Sequence, residues 1–189
     1  MAAGPTYVPK MGVTLMTADE LLHTSIPDKR VELVRGVLVV REPAGYLHGD
    51  VVSKLAARLL NYVEGRGLGR VFPHEIGFKL QSDPDTVRGP DIAFLARERV
   101  PEPRPLGYLA LAPDLVVEVL SPDDRPGKTL AKVGDWLTGG ARLVWVIDPQ
   151  RRFARVYRQD GSEIVVPEDG YLDGEDVVPG FSCPLAEVL

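Results

Sequence analysis

The chain has 189 residues, of which 44% are hydrophobic and 26% charged, and a formal net charge of −5. This is the composition of a soluble globular protein with a real core, and its acidic sign argues against a dedicated high-affinity nucleic-acid binder, which is usually basic. One cysteine, Cys183, excludes an internal disulfide framework and a thiolate-rich metal site, and His23, His48 and His74 lack zinc-like spacing.

No run approaches the roughly 20 apolar residues of a membrane span. The opening "MAAGPTYVPKMGV" lacks the apolar centre of a signal peptide, so a cytoplasmic protein is expected. In "MTADELL", Thr17 precedes Glu20 by three residues, a capping-box pattern that predicts a short helix from about Ala18. "RVELV" and "VLVVRE" read as two strands around a tight turn at Arg35 and Gly36. "LHGDVVSKLAARLLNYVEGRG" places Val51, Leu55, Leu59 and Val63 on one helical stripe that ends at Gly65 and Gly67.

"RVFPHEIGFKL" and "GPDIAFLA" follow as strands, separated by the turn-rich "QSDPDTVRG". A proline-rich loop, "RVPEPRPLGY", leads into the strand "DLVVEVL". "GKTLAKVGDWLTGG" is a second helix, with Leu130, Val133 and Leu137 expected on its apolar face. "RLVWVID" reads as a strand with both faces covered, and "FARVYR" with "EIVV" as a closing hairpin across "QDGS".

From residue 48 to 148 the order is helix, three strands, helix, strand. The last strand–helix–strand step is the crossover that parallel neighbours require. A mixed α/β sheet with helices on its faces is expected, in a single domain. Residues 1–30 form an N-terminal extension with the short helix, 31–149 the core, and 150–189 a C-terminal hairpin and tail.

Glu118 stands among aliphatic residues in "DLVVEVL", where an isolated ionised carboxylate costs several kcal/mol. Asp91 opens the strand "DIAFLA". If these two strands are neighbours, the acids share a patch of sheet, and like charges so close call for a cation between them. A hard divalent ion held by one or two carboxylates, with waters and phosphate oxygens, suits magnesium. Lys132, on the helix that leaves the Glu118 strand, is able to reach back to the same site. Each residue also has a plainer reading. Glu118 pairs with an arginine or is half exposed, Asp91 ends a turn, and Lys132 is a solvated helix residue.

"GPD" at 89–91, "VVEVLSP" at 116–122 and the lysine of "AKVGDWLTGGARLVWVIDP" together resemble the PD-(D/E)XK nuclease superfamily, and within it the Uma-type restriction endonuclease family. The likeness runs from "VELVRG" to "VWVIDP". It implies a restriction-endonuclease-like core, Asp91 and Glu118 as ligands of Mg2+ or Mn2+, and Glu32 as a further acidic site residue. It also implies Lys132 in the water-handling role. The superfamily pattern wants lysine two residues after the glutamate, where this chain has Leu120, so Lys132 would act from the following helix. The implied activity is metal-dependent hydrolysis of DNA, with a homodimer as partner state and no small-molecule cofactor.

Two alternatives remain: a catalytically silent module of the same fold, favoured by Leu120 and the net charge, and a small-molecule hydrolase using its acids for general acid–base work. His48 either meets a phosphate at a helix start or is a plain helix-terminal histidine. His74 and Glu75 are placed near the groove without a role. Arg142, Arg151, Arg152, Arg155 and Arg158 face a single acid, Asp148, within their stretch of sequence. They form either a phosphate-tracking surface or a solvated hairpin.

Overall fold

The computed structural model describes residues 15–73 and 76–189. The capping box closes as expected. Thr17 Oγ1 accepts the Glu20 N–H at 3.2 Å, Glu20 Oε2 accepts the Thr17 N–H at 2.7 Å, and α1 spans Ala18–Leu22. The hairpin follows, with β1 at Arg30–Val34 and β2 at Val37–Arg41. Its turn puts Arg35 and Gly36 at φ 49° and 76°, the left-handed pair that matches the strand twist. α2 (Tyr46–Arg66) buries Val51, Leu55, Leu59 and Val63 and ends on left-handed Gly67.

The next segment departs from the expected single strand. "RVFPHEIGFKL" forms β3 (Gly69–Phe72) and β4 (Phe78–Gln81), which join different sheets. Pro73 has no N–H to give a ladder, so the chain leaves the first sheet there. The segment read as a turn holds β5 (Thr86–Arg88), a strand of three residues. Then come β6 (Ile92–Ala96), β7 (Leu115–Val119), α3 (Pro126–Thr138) and β8 (Leu143–Asp148). β9 (Phe153–Arg158) and β10 (Glu163–Pro167) make the expected hairpin, and β11 (Tyr171–Asp173) pairs with β12 (Ser182–Pro184).

The main sheet runs β10-β9-β8-β7-β6-β3 and a smaller one β2-β1-β5-β4. Within the main sheet, β7 and β8 are parallel and the other neighbours antiparallel. The order α2, β3, β6, β7, α3, β8 is therefore helix, three strands, helix, strand, an α/β arrangement with a mixed sheet.

Alternation divides the two faces. Leu115, Val117, Val119, Leu143, Trp145 and Ile147 pack towards α2, while Val116, Val144 and Val146 pack towards Val133 and Trp136 of α3. Leu130 lies outside the α3 interface at 58% exposure, and Lys132 is buried instead, so the inward face of α3 is turned from the expected one. The C-terminal segment is more than a tail. Leu172, Phe181, Cys183 and Leu185 join the core on the α2 side, and Phe181 stacks on Trp145 at 6.1 Å.

Gly69 is fixed by close approach: a Cβ there would lie 2.0 Å from the Leu95 carbonyl oxygen. Gly69→Ala is expected to displace β3 and cost about 2 kcal/mol, the scale of overpacking, read as a lower denaturation midpoint at unchanged m-value. An unchanged midpoint would show that β3 shifts freely.

Candidate active site

Glu118 shares the α3-facing side of β7 with Val116, and Ala93 and Leu95 lie on the same side of β6. Asp91, two residues before Ala93, continues that side. Its N–H donates to the Val117 carbonyl at 3.1 Å, and its Oδ2 accepts the Val119 N–H at 2.7 Å. Asp91 thus brackets Glu118 through the two residues on either side of it.

α3 delivers the counter-charge. Lys132 and Trp136 stand one turn apart, so both side chains reach the same carboxylate. Lys132 Nζ donates to Glu118 Oε2 at 2.8 Å, and Trp136 Nε1 donates to Oε1 at 2.8 Å. This answers why a carboxylate is tolerated inside the sheet: each oxygen has a donor, and one donor is charged. Lys132 also donates to the Gly89 carbonyl at 3.1 Å and lies 3.2 Å from Glu32 Oε1.

Glu32 arrives from β1. Its Oε1 accepts the Gly89 N–H at 3.1 Å, and its Oε2 accepts from Arg88 at 2.9 Å. Arg88 in turn reaches Asp135 on α3, with Nε at 3.1 Å from Oδ2. The hairpin, β5 and α3 are therefore tied together by charge. His48, in the first turn of α2, places Nε2 3.1 Å from Asp91 Oδ1.

Glu32, Asp91, Glu118, Lys132 and His48 line one cavity of about 290 Å3, although each is less than a tenth exposed. Burial pushes Glu118 up to about 7; Lys132 opposes this, while Asp91 and Glu32 add to it. Burial would raise Glu32 too, but Lys132, Arg88, Arg41 and the Gly89 N–H outweigh it and hold this acid at about 2. Burial would lower Lys132, yet Glu118, Glu32 and Asp91 raise it well above the usual lysine range, so it is an ammonium. Burial likewise opposes ionisation of Asp91, but His48, Lys132 and the Val119 N–H lower it.

Among the described residues no three His, Cys, Asp or Glu side chains are spaced as a metal shell. Asp91 and Glu118 offer two hard oxygen donors at one cavity, which fits an ion that keeps most of its waters, as magnesium does.

The family described as "Uma2: Putative restriction endonuclease" matches residues 18–186. The chain belongs to the Uma2 family. A crystal structure of "a putative nuclease belonging to DUF820" from Anabaena variabilis superposes on this Uma2 chain with a TM-score of 0.77 and 24% identity, over 92% of this chain and 97% of that one. No curated protein matches it. The likeness to the solved structure establishes a shared fold, and family membership supports a nuclease. No helix among the described residues is long and apolar enough to cross a membrane.

The geometry of this Uma2 chain gathers all four residues singled out in the sequence: Glu32, Asp91, Glu118 and Lys132. His74 and Glu75 lie outside the described residues. The C-terminal arginines do not form an open cationic track. Arg142 faces Asp176, Arg151 faces Asp148, Arg152 faces Glu168, Arg155 faces Glu163 and Arg158 faces Glu175. Sequence reasoning missed Arg88 and Asp135 and gave His48 too little weight. Arg88 sits directly before "GPD", and Asp135 follows Lys132 by three residues. That spacing was the available signal for Asp135.

Proposed function

We propose that this protein is a divalent-metal-dependent endonuclease that hydrolyses DNA phosphodiester bonds. The observation that carries the reading is that Asp91, directly before β6, and Glu118, on β7, share one side of the sheet and one cavity with Lys132. Asp91 and Glu118 would hold Mg2+ or Mn2+, which when bound polarises the phosphate and lowers the pKa of its water. Lys132, held as an ammonium, donates and does not accept a proton. It orients the attacking water and balances charge that develops on the phosphate. Glu32 fixes Lys132 from its other side, and His48 holds Asp91. Cytoplasmic location and a homodimer belong to this reading. Ile164 and Val165, both about half exposed on edge strand β10, offer apolar surface for a second copy.

The test is nicking of supercoiled plasmid with manganese. The parent cuts, and chelator stops it. Asp91→Ala and Glu118→Ala each lower the rate by at least about a hundredfold, the scale of one lost group that stabilises the transition state. Two variants that cut like the parent would end the proposal.

A second reading, a silent module of the same fold, draws on a specific feature: both Glu118 oxygens and both Glu32 oxygens already have protein partners. Titration with manganese separates the two, because a silent module binds none through Asp91 and Glu118.

A further inference from the structure

β9 carries Phe153, Arg155 and Tyr157 at alternate positions, so all three side chains leave one face of the main sheet. Their cross-strand partners on β8 are Asp148, Val146 and Val144, which makes that face the α3 side. Ala154 and Val156, between them, turn to the α2 side and are buried there. On the α3 side the cover is incomplete. Phe153, Arg155 and Tyr157 are half-buried, and Leu130 of α3 is exposed. Together these four residues line a groove of about 450 Å3.

The groove is continuous with the cavity that holds Asp91, Glu118 and Lys132. Leu120, Ser121, Asp124 and Thr129 line both. Leu120 follows Glu118 by two residues, so a strand with one phosphate at the carboxylates passes over this loop onto β9. The charges of the groove are already matched. Arg155 lies 3.3 Å from Glu163 and Arg151 3.4 Å from Asp148. Asp124 adds a third acid, which leaves no cationic surplus to hold a phosphate. What the groove offers is flat surface. The Arg155 guanidinium stands 5.7 Å from the Phe153 ring centroid, within cation–π range. Aromatic rings and guanidinium planes are the surfaces on which unpaired bases stack, and stacking requires no net charge.

We infer that Phe153, Arg155 and Tyr157 form a stacking strip for nucleobases of an unpaired strand, beside the phosphate that is cut. Bases inside a duplex lie on one another and have no free face to give a sheet, so the strip selects single-stranded or locally opened DNA. The strip rests on the nuclease reading for the identity of the strand, and it adds a preference among substrates.

The test is binding of a labelled single-stranded oligonucleotide across a salt series, with calcium in place of magnesium, beside an abasic strand of the same length. The abasic strand keeps every phosphate and is expected to bind more weakly than the parent strand. Phe153→Ala and Tyr157→Ala are each expected to weaken binding of the base-bearing strand by about fivefold to a hundredfold, the span for one base on one ring. The slope of log affinity against log salt stays as in the parent, because no phosphate contact is lost. Equal affinity for the two strands, or parent-like affinity in the double variant, overturns the strip. A second measurement uses only the parent protein: photo-cross-linking of an iodouracil-bearing strand, mapped by peptide mass. Cross-links are expected on Phe153 or Tyr157, and cross-links only elsewhere overturn the strip whatever the variants do. Sedimentation covers the rival occupant, since a dimer that these substitutions dissociate would put a second copy on this face and end the proposal. A protein that nicks plasmid with manganese but binds no single strand loses the strip and keeps the nuclease reading. One that stacks bases at these rings but never cuts keeps the strip and loses the nuclease reading.

Discussion

Lys132→Met lowers the thermal midpoint by roughly 10 °C at pH 8. Removing one member of a buried ion pair leaves an uncompensated charge and costs about 3–5 kcal/mol, and each kcal/mol is worth about 2–4 °C at this chain length. The lost ammonium is the charged donor to Glu118 Oε2, and it also faces Glu32 at 3.2 Å. Glu32 keeps Arg88 and the Gly89 N–H, so the penalty falls mainly on Glu118. That acid already stands at about 7, and losing Lys132 raises it further. A raised carboxyl contributes stability below its unfolded pKa and loses it as pH rises, so the deficit of the variant is smaller at pH 6 than at pH 8. Adding Glu118→Gln removes the orphaned charge and is expected to recover at least half of the loss. A variant as stable as the parent at both pH values would mean that Lys132 is not the internal counter-ion.

Acid unfolding is the second large effect. Glu32 sits at about 2 in the folded protein against 4.5 for the free group. A depressed carboxyl contributes stability above its unfolded pKa and loses it as pH falls through the folded one. The window is therefore pH 4.5 down to 2, and the full loss is about 3 kcal/mol at 1.36 kcal/mol per pKa unit. Glu118 moves in the opposite sense, but only between 4.5 and about 7, so it is already protonated in this window. Denaturant midpoints measured from pH 5 to pH 2 report the slope. Glu32→Gln is expected to be less stable than the parent at pH 5 and to lose less on acidification. Parallel curves for the two proteins would show that Glu32 carries no depressed pKa.

The sequence revealed the core order because its signals are long and periodic. The α2 stripe, the apolar β8 run and the strand–helix–strand crossover each span enough residues for pattern to outweigh noise. Period-two alternation put Glu118 on a definite face, and a 100° step put Lys132 beside Trp136. β5 escaped notice because three residues between Asp85 and Gly89 are too few to show a period. β3 and β4 were merged because only partner strands decide which sheet a segment joins. Arg88 was invisible for the same reason: its partners Glu32 and Asp135 are 56 and 47 residues away. The arginines of residues 142–158 looked open because the acids that neutralise four of them come from residues 163–176.

The ammonium between Glu118 and Glu32 also bears on how the protein is made. Where a metal supplies the only neutralising charge, the apo chain stays unfolded and chelators denature it. Here the stand-in is covalently attached, so the pocket is preassembled when synthesis ends. On the proposed metal-dependent reading, withholding divalent ions would silence the pocket without dismantling it, and resupplying them would demand no refolding.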